Sequence, residues 1–206
     1  MSKENRTFKN DFVKPDEQSS SSLENSAMAR ILVQASAIEL AHIAERNRKC
    51  QKKIALLEKM KTAVFPGSFD PFTVGHASIV KRGLPMFDRI VIGVGVNDRK
   101  RSLYTPEQRV EVIRRLYAAE PRVKVVAYKD LTIDLARREG AGFILRGLRS
   151  VKDFEYERDI AAMNHRLGGV ETVLLFTESQ YAHISSSVVR ELIAYGKDVS
   201  DFLPQP

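Results

Sequence analysis

The sequence predicts an α/β protein: a Rossmann-like, doubly wound parallel sheet of five strands, preceded by an N-terminal extension. Three observations lead there. Between residues 60 and 206, short runs rich in β-branched residues alternate five times with helical stretches, the pattern of a parallel sheet covered on both faces. The run "DRIVIGVGVN" has the β-branched residues expected of a strand covered on both faces. Before Met60 the texture differs, polar to residue 26 and then free of Gly and Pro to residue 59.

Taken in order, residues 1–26 carry a serine run at Ser19–Ser22 and little to bury, so a disordered polar segment is expected. Residues 27–59 form a helical extension, with Met28, Ile31, Leu32, Ala35 and Ile38 at helical spacing. It reads as a solvated helix, or as a basic helix docking on RNA or a partner. Residues 60–206 form the main domain. "KTAVFPG" is its first strand, followed by a helix that starts near His76. Leu84, Met86 and Phe87 after that helix are candidates for an oligomer contact. "DRIVIGVGVN" is the second strand. "TPEQRVEVIRRLYAAE" is a helix with Thr105 as N-cap, Pro106 at its first position and Val110, Ile113 and Leu116 on one face. Strand "RVKVVAY", helix "LTIDLARREG", strand "AGFILRG", helix "DFEYERDIAAMNHRL", strand "VETVLLFT" and helix "SSSVVRELIAYG" complete it.

Composition narrows the partners. A net charge of +7 and a pI near 9.5 suggest anionic ones: nucleotides, nucleic acid or an acidic membrane. The charge is spread along the chain with no long basic block, so no nucleic-acid partner is expected. No apolar run reaches the ~18–20 residues of a membrane span, and no membrane association is expected. The single cysteine, Cys50, excludes an internal disulfide and a Cys-based zinc site. The N-terminus lacks the apolar stretch of a secretory signal, so the cytoplasm is the expected compartment.

Polar residues gather where strands end. Ser68 and His76 follow the first strand, Lys100 the second, Arg146 and Arg149 the fourth, and Ser185–Ser187 and Arg190 the fifth. In a doubly wound sheet these ends share one crevice. Each has a plainer reading alone: an incidental polar residue at a helix start, a solvated basic loop, helix-capping serines, intrahelical ion pairs. Together they favour a nucleotide site. A Walker A motif, a GxGxxG turn and a G-x-S-x-G elbow are all missing, which disfavours P-loop NTPases, dehydrogenases and acyl hydrolases.

"GSFDPFTVGH", with Thr73-Val74-Gly75-His76, resembles the first motif of the nucleotidyltransferase superfamily that carries H/T-x-G-H, and "ISSSVVR" resembles its second. "RGLRSVKDFEYE" is similar to the corresponding segment of bacterial phosphopantetheine adenylyltransferases. The resemblance runs from about Met60 to Pro204. It implies transfer of the adenylyl group of ATP to 4′-phosphopantetheine, giving 3′-dephospho-CoA and pyrophosphate, with Mg²⁺ and in a homohexamer. The acceptor phosphate attacks directly, so the protein supplies position and charge rather than a nucleophile.

By motif match, the resemblance implies that His76 donates to the α-phosphate and that Lys100 bridges the reacting phosphates. It further implies that Ser68, Lys100, Thr132 and Arg146 bind phosphopantetheine. The ATP site would take Ser68, Phe69, His76, Gly147, Leu148, Arg149 and Glu157, with the segment Tyr181, Ala182, His183, Ile184, Ser185, Ser186 and Ser187 cradling the nucleotide. No residue is assigned as a metal ligand. The chain departs from the family at Tyr181, where Trp is common, at the end "DFLPQP", which lacks a final helix, and in residues 1–59, which have no counterpart. Two other readings stand beside it: a relative that makes NAD or a CDP-alcohol, expected to lack "RGLRSVKDFEYE", and a nucleotide- or RNA-binding regulator without catalysis.

Overall fold

The structure is a computed structural model and describes residue 34 and residues 38–52, 60–97 and 102–205. The chain divides into two units, Met1–Leu56 and Leu57–Pro206. In the first, residues 38–52 form helix α1, exposed along its whole length, and Glu45 pairs with Arg48 and Lys49 one turn on. The segment expected to be disordered, 1–26, lies outside the described residues, as do the flanks of the expected helix 27–59 apart from residue 34.

The second unit runs β1 (Thr62–Gly67), α2 (Val74–Gly83), β2 (Arg89–Gly95), α3 (Pro106–Leu116), β3 (Val123–Tyr128), α4 (Thr132–Arg138), β4 (Phe143–Leu148), α5 (Val151–Gly168), β5 (Glu171–Phe176) and α6 (Ser186–Ala194). Its strands are parallel, in the order β3-β2-β1-β4-β5, so the expected fold class holds. Local chemistry sets the helix starts. Thr105 and Gln108 exchange hydrogen bonds in a capping box before Pro106. Ser150 caps α5, which ends at Gly169 in the left-handed region.

Each inner strand divides its side chains between two cores. Ala63 and Phe65 of β1, Ile90, Ile92 and Val94 of β2 and Leu145 of β4 pack with Ile79, Val80 and Ile113. Val64, Val91 and Ile144 face the other way, onto Leu135 and Ala136 of α4. This is the period of two that a pleated sheet imposes. Phe87 belongs to the first core, 6% exposed and 5.5 Å from the ring of Phe143, and Leu84 packs against it. Of the three residues expected at an oligomer contact, Met86 alone is exposed. The other two complete the core, because the chain turns back towards β2 there.

Strand order reverses between β1 and β4, so the crevice falls at their carboxyl ends. The β1–β2 ladder continues to Gly67–Val94, whereas β1 and β4 pair only at Ala63–Phe143 and Val64–Ile144. Beyond that the two strands part. Pro66, with no N–H to give a neighbour, sits where the ladder to β4 has ended.

Candidate active site

Two cavities open at this split. The first, about 390 Å³, is walled by the β1–α2 turn, the end of β4 and the start of α6. The second, about 880 Å³, lies between the same strand ends, the start of α4 and one side of α5. They share a common wall that includes Ser68, Arg146 and Glu157, together with the backbone at Pro66, Gly67 and Gly95. Arg146 holds that wall in place. Its guanidinium donates to the Pro66 carbonyl at 2.6 Å and to both carboxylate oxygens of Glu157, through Nε at 2.9 Å and through its second terminal nitrogen. Arg146 thus spans the gap left by the missing β1–β4 ladder, and Glu157 is almost fully buried beneath it.

His76 enters the first cavity from the first turn of α2. Its Nδ1 lies 3.0 Å from the backbone N–H of Thr73 and 3.0 Å from the Thr73 hydroxyl. A backbone N–H only donates, so Nδ1 accepts and the ring proton sits on Nε2. Phe65, Phe69 and Phe72 surround the ring, Phe69 edge-on at 5.1 Å. Burial first, then the charges of Arg149 and Arg146, push its pKa down to about 4. At neutral pH His76 is an uncharged N–H donor.

Among the described residues, the first cavity has four arginines, Arg109, Arg146, Arg149 and Arg190, against three carboxylates, Asp70, Asp153 and Glu157. Glu157 is taken by Arg146 and Asp153 by Arg149, at 3.2 Å. Asp70 accepts the backbone N–H groups of Leu103 and Tyr104 at 2.8 and 2.9 Å. Arg109 and Arg190 bond carbonyl and hydroxyl oxygens, so the cavity is biased towards anions. The serines of α6 are already committed: Ser185 caps Val188, Ser186 donates to the Pro71 carbonyl, and Ser187 accepts from Arg190. The plain capping reading is therefore right for Ser185. What the segment offers an anion is the backbone N–H groups of the first helical turn, which have no acceptor inside the helix.

Most of the expected site residues converge. Ser68, Phe69, His76, Gly147, Arg149 and Glu157 line the first cavity, as do Ile184, Ser185, Ser186 and Ser187. Thr132 lines the second, with its hydroxyl 3.2 Å from that of Tyr128. Four residues are placed differently. The Leu148 side chain is buried in the sheet, 1% exposed. Tyr181 lies along a separate groove beside α2, and Ala182 and His183 line neither cavity of the crevice. Lys100 lies outside the described residues.

Sequence reasoning missed two groups. Arg109, Asp70 and Thr73 frame the first cavity. The wall of the second includes Tyr156, Ile160, Met163 and Asn164 of α5. The signal for the wall is the spacing 156, 160, 163, 164, which puts these side chains on one side of a helix. Among the described residues no group of three or more His, Cys, Asp or Glu is arranged to hold a metal.

A cytidylyltransferase-like family model matches residues 64–192. The phosphopantetheine adenylyltransferase of Phocaeicola vulgatus is 56% identical over 146 residues, covering 71% of this chain and 97% of that protein. The enzyme of the same name from Bacteroides fragilis is 54% identical over equal shares of both chains. That of Flavobacterium psychrophilum is 48% identical. Among solved structures, the fold is similar to a bifunctional NMN adenylyltransferase/ADP ribose pyrophosphatase of Francisella tularensis complexed with AMP and a manganese ion. That likeness has a TM-score of 0.55 at 13% identity, over 70% of this chain and 44% of the other.

Proposed function

Because the chain belongs to the cytidylyltransferase-like family and, within it, to the phosphopantetheine adenylyltransferases, we propose that it transfers the adenylyl group of ATP to 4′-phosphopantetheine in coenzyme A biosynthesis. A phosphate oxygen of phosphopantetheine forms a bond to the α-phosphorus of ATP. The bond from that phosphorus to the β-phosphate breaks, and its electron pair leaves with pyrophosphate. The product is 3′-dephospho-CoA.

One observation carries the reading beyond the family: two cavities of unlike lining meet at a shared wall that includes Ser68, Arg146 and Glu157. Such an arrangement suits two substrates that must meet phosphate to phosphate. We assign ATP to the first cavity, where uncompensated arginines and the α6 N-terminus favour a polyphosphate. The pantetheine arm takes the second, with Tyr156, Ile160 and Met163 against its apolar parts and Asn164 near its amides. Ser68, exposed at the common wall, would hydrogen-bond the attacking phosphate, and Arg146 would hold its charge. His76, neutral and protonated on Nε2, would donate to the α-phosphate as negative charge builds on it. Lys100 is assigned by motif match to bridge the two phosphates.

The cavity carboxylates all have donors of their own, so the residues present fit Mg²⁺ that arrives on the ATP phosphates with part of its water shell. Bound there, it would neutralise polyphosphate charge. Among the described residues no helix is long and apolar enough to cross a membrane, and we place the protein in the cytoplasm. By family resemblance it would form a homohexamer. We propose residue 60 as the start of the domain that does the chemistry.

The test is whether the protein releases pyrophosphate from ATP only when 4′-phosphopantetheine is added. Equal rates with nicotinamide or nicotinate mononucleotide would overturn the assignment.

A further inference from the structure

Arg109 is 5% exposed, and among the described residues no carboxylate pairs with it. Its donors go to three carbonyls on three elements. Nε reaches Thr105 at 3.3 Å, and one terminal nitrogen reaches Ser68 at 2.5 Å and Gly95 at 3.4 Å. One buried guanidinium therefore ties the ends of β1 and β2 to the first turn of α3. A guanidinium buried on carbonyl oxygens is costly to take out of water, so its retention here needs a use.

The use lies one residue past Ser68. The Ser68 carbonyl belongs to the peptide that enters Phe69, and Phe69 has φ 47°, a left-handed conformation that disfavours a bulky side chain. That backbone folds the aromatic ring back over Gly67, where a Cβ would come within 2.7 Å of it. There it packs between Phe65 and Phe72 and edge-on to His76. On the far side of Phe69, Arg190 donates to the Asp70 carbonyl at 2.6 Å. The strained turn is held from both flanks, and the buried hold is Arg109.

We propose that Arg109 is a positioning residue: by fixing the Ser68–Thr73 turn it orients His76 towards the reacting phosphate. The proposal rests on the reaction argued above. A lysine keeps the charge but cannot reach three carbonyls with one planar fork.

The experiment is Arg109→Lys, with Arg109→Gln as second variant, in the full chain. Turnover is measured with each substrate varied, and ring ¹⁵N shifts of His76 report its tautomer. The expected result is a kcat at least tenfold lower in both variants, with the KM for ATP within threefold in Arg109→Lys, which keeps the charge. His76, a single Nε2–H tautomer in the wild type, becomes a mixture. A kcat within twofold of wild type, or an unchanged tautomer, overturns the proposal whatever the melting temperature does. Failure of both variants to fold assigns Arg109 to stability alone and also overturns it. If the wild-type protein does not transfer adenylate to phosphopantetheine, the reaction assignment falls, and the tautomer measurement alone decides on Arg109.

Discussion

The Nδ1 atom of His76 accepts the backbone N–H of Thr73 at 3.0 Å, which leaves the ring proton on Nε2, while burial and then the charges of Arg149 and Arg146 keep the ring neutral. The consequence for stability has a definite sign. The folded pKa is about 4 against 6.5 for a free side chain, so between those values the unfolded chain binds the proton and the folded chain does not. The contribution of His76 is fully present above pH 6.5 and is lost as pH falls towards 4. By pH 5 the loss is about 2 kcal/mol. Urea unfolding of wild type and His76→Gln at pH 7 and pH 5 checks it, the variant losing less on acidification. Equal losses would contradict the shift.

The same neutrality bears on turnover. An N–H donor that stays uncharged from pH 6 upward gives no acid limb of its own in that range. His76→Ala is expected to lower kcat roughly 10²–10³-fold, the usual cost of one donor to developing charge, while the KM for ATP changes little. A lowered melting temperature with turnover intact would return His76 to a helix-start role.

Arg146 and Glu157 stand on β4 and α5, and their pairing closes the split between β1 and β4. Glu157→Gln keeps the shape but removes the charge from a pair that is mostly buried, 29% and 7% exposed in the two side chains. A loss of roughly 1.5–3 kcal/mol in stability is expected, as for a hydrogen bond to a charged group. The KM for phosphopantetheine should rise at least fivefold, because Arg146 also faces the second cavity. A variant whose KM for ATP alone changes would move Arg146 out of the acceptor site.

The strand–helix alternation is legible in the sequence because the inner strands β1 and β2 are continuous or nearly continuous apolar runs and α3 carries its own start signal at Thr105. His76, Arg146 and the α6 serines are legible as residues at strand ends. Their partners are not. Arg146 meets Pro66 across 80 residues, and Arg190 meets Asp70 across 120, contacts that exist only once the sheet order is set. The α5 wall of the second cavity reads locally as an ordinary helix face, since no periodicity distinguishes a ligand from solvent. Tyr181 was expected to touch the nucleotide from its place in a motif, yet the short helical turn at Ser179–Tyr181 carries it to another groove.

Two glycines separate packing from access. A Cβ on Gly147 would lie 2.9 Å from Cγ1 of Ile79 in the core, so Gly147→Ala should destabilise by about 1–3 kcal/mol through overpacking. A Cβ on Gly75 would meet nothing closer than 3.6 Å, and within a helix alanine is the better residue. Gly75→Ala is expected to keep or raise the melting temperature. Any fall in its turnover then reports what enters the cavity, since the protein itself has room for the methyl. Unchanged turnover in Gly75→Ala would mean that no phosphate approaches that backbone.

Among the described residues, every one that lines the two cavities lies at Phe65 or later, and the family match spans residues 64–192. The alignment with the Phocaeicola vulgatus protein covers 97% of that relative and only 71% of this chain. A chain starting at Met60 keeps all five strands and every assigned side chain. It is therefore expected to turn over within about twofold of the full protein, a difference of ~0.4 kcal/mol in barrier. Steady-state rates and light scattering on both proteins make the comparison, the second to show that assembly is the same. A hundredfold loss with folding intact would mean that the first unit supplies something the reaction requires. An unchanged rate with an altered oligomer would instead limit that unit's part to assembly.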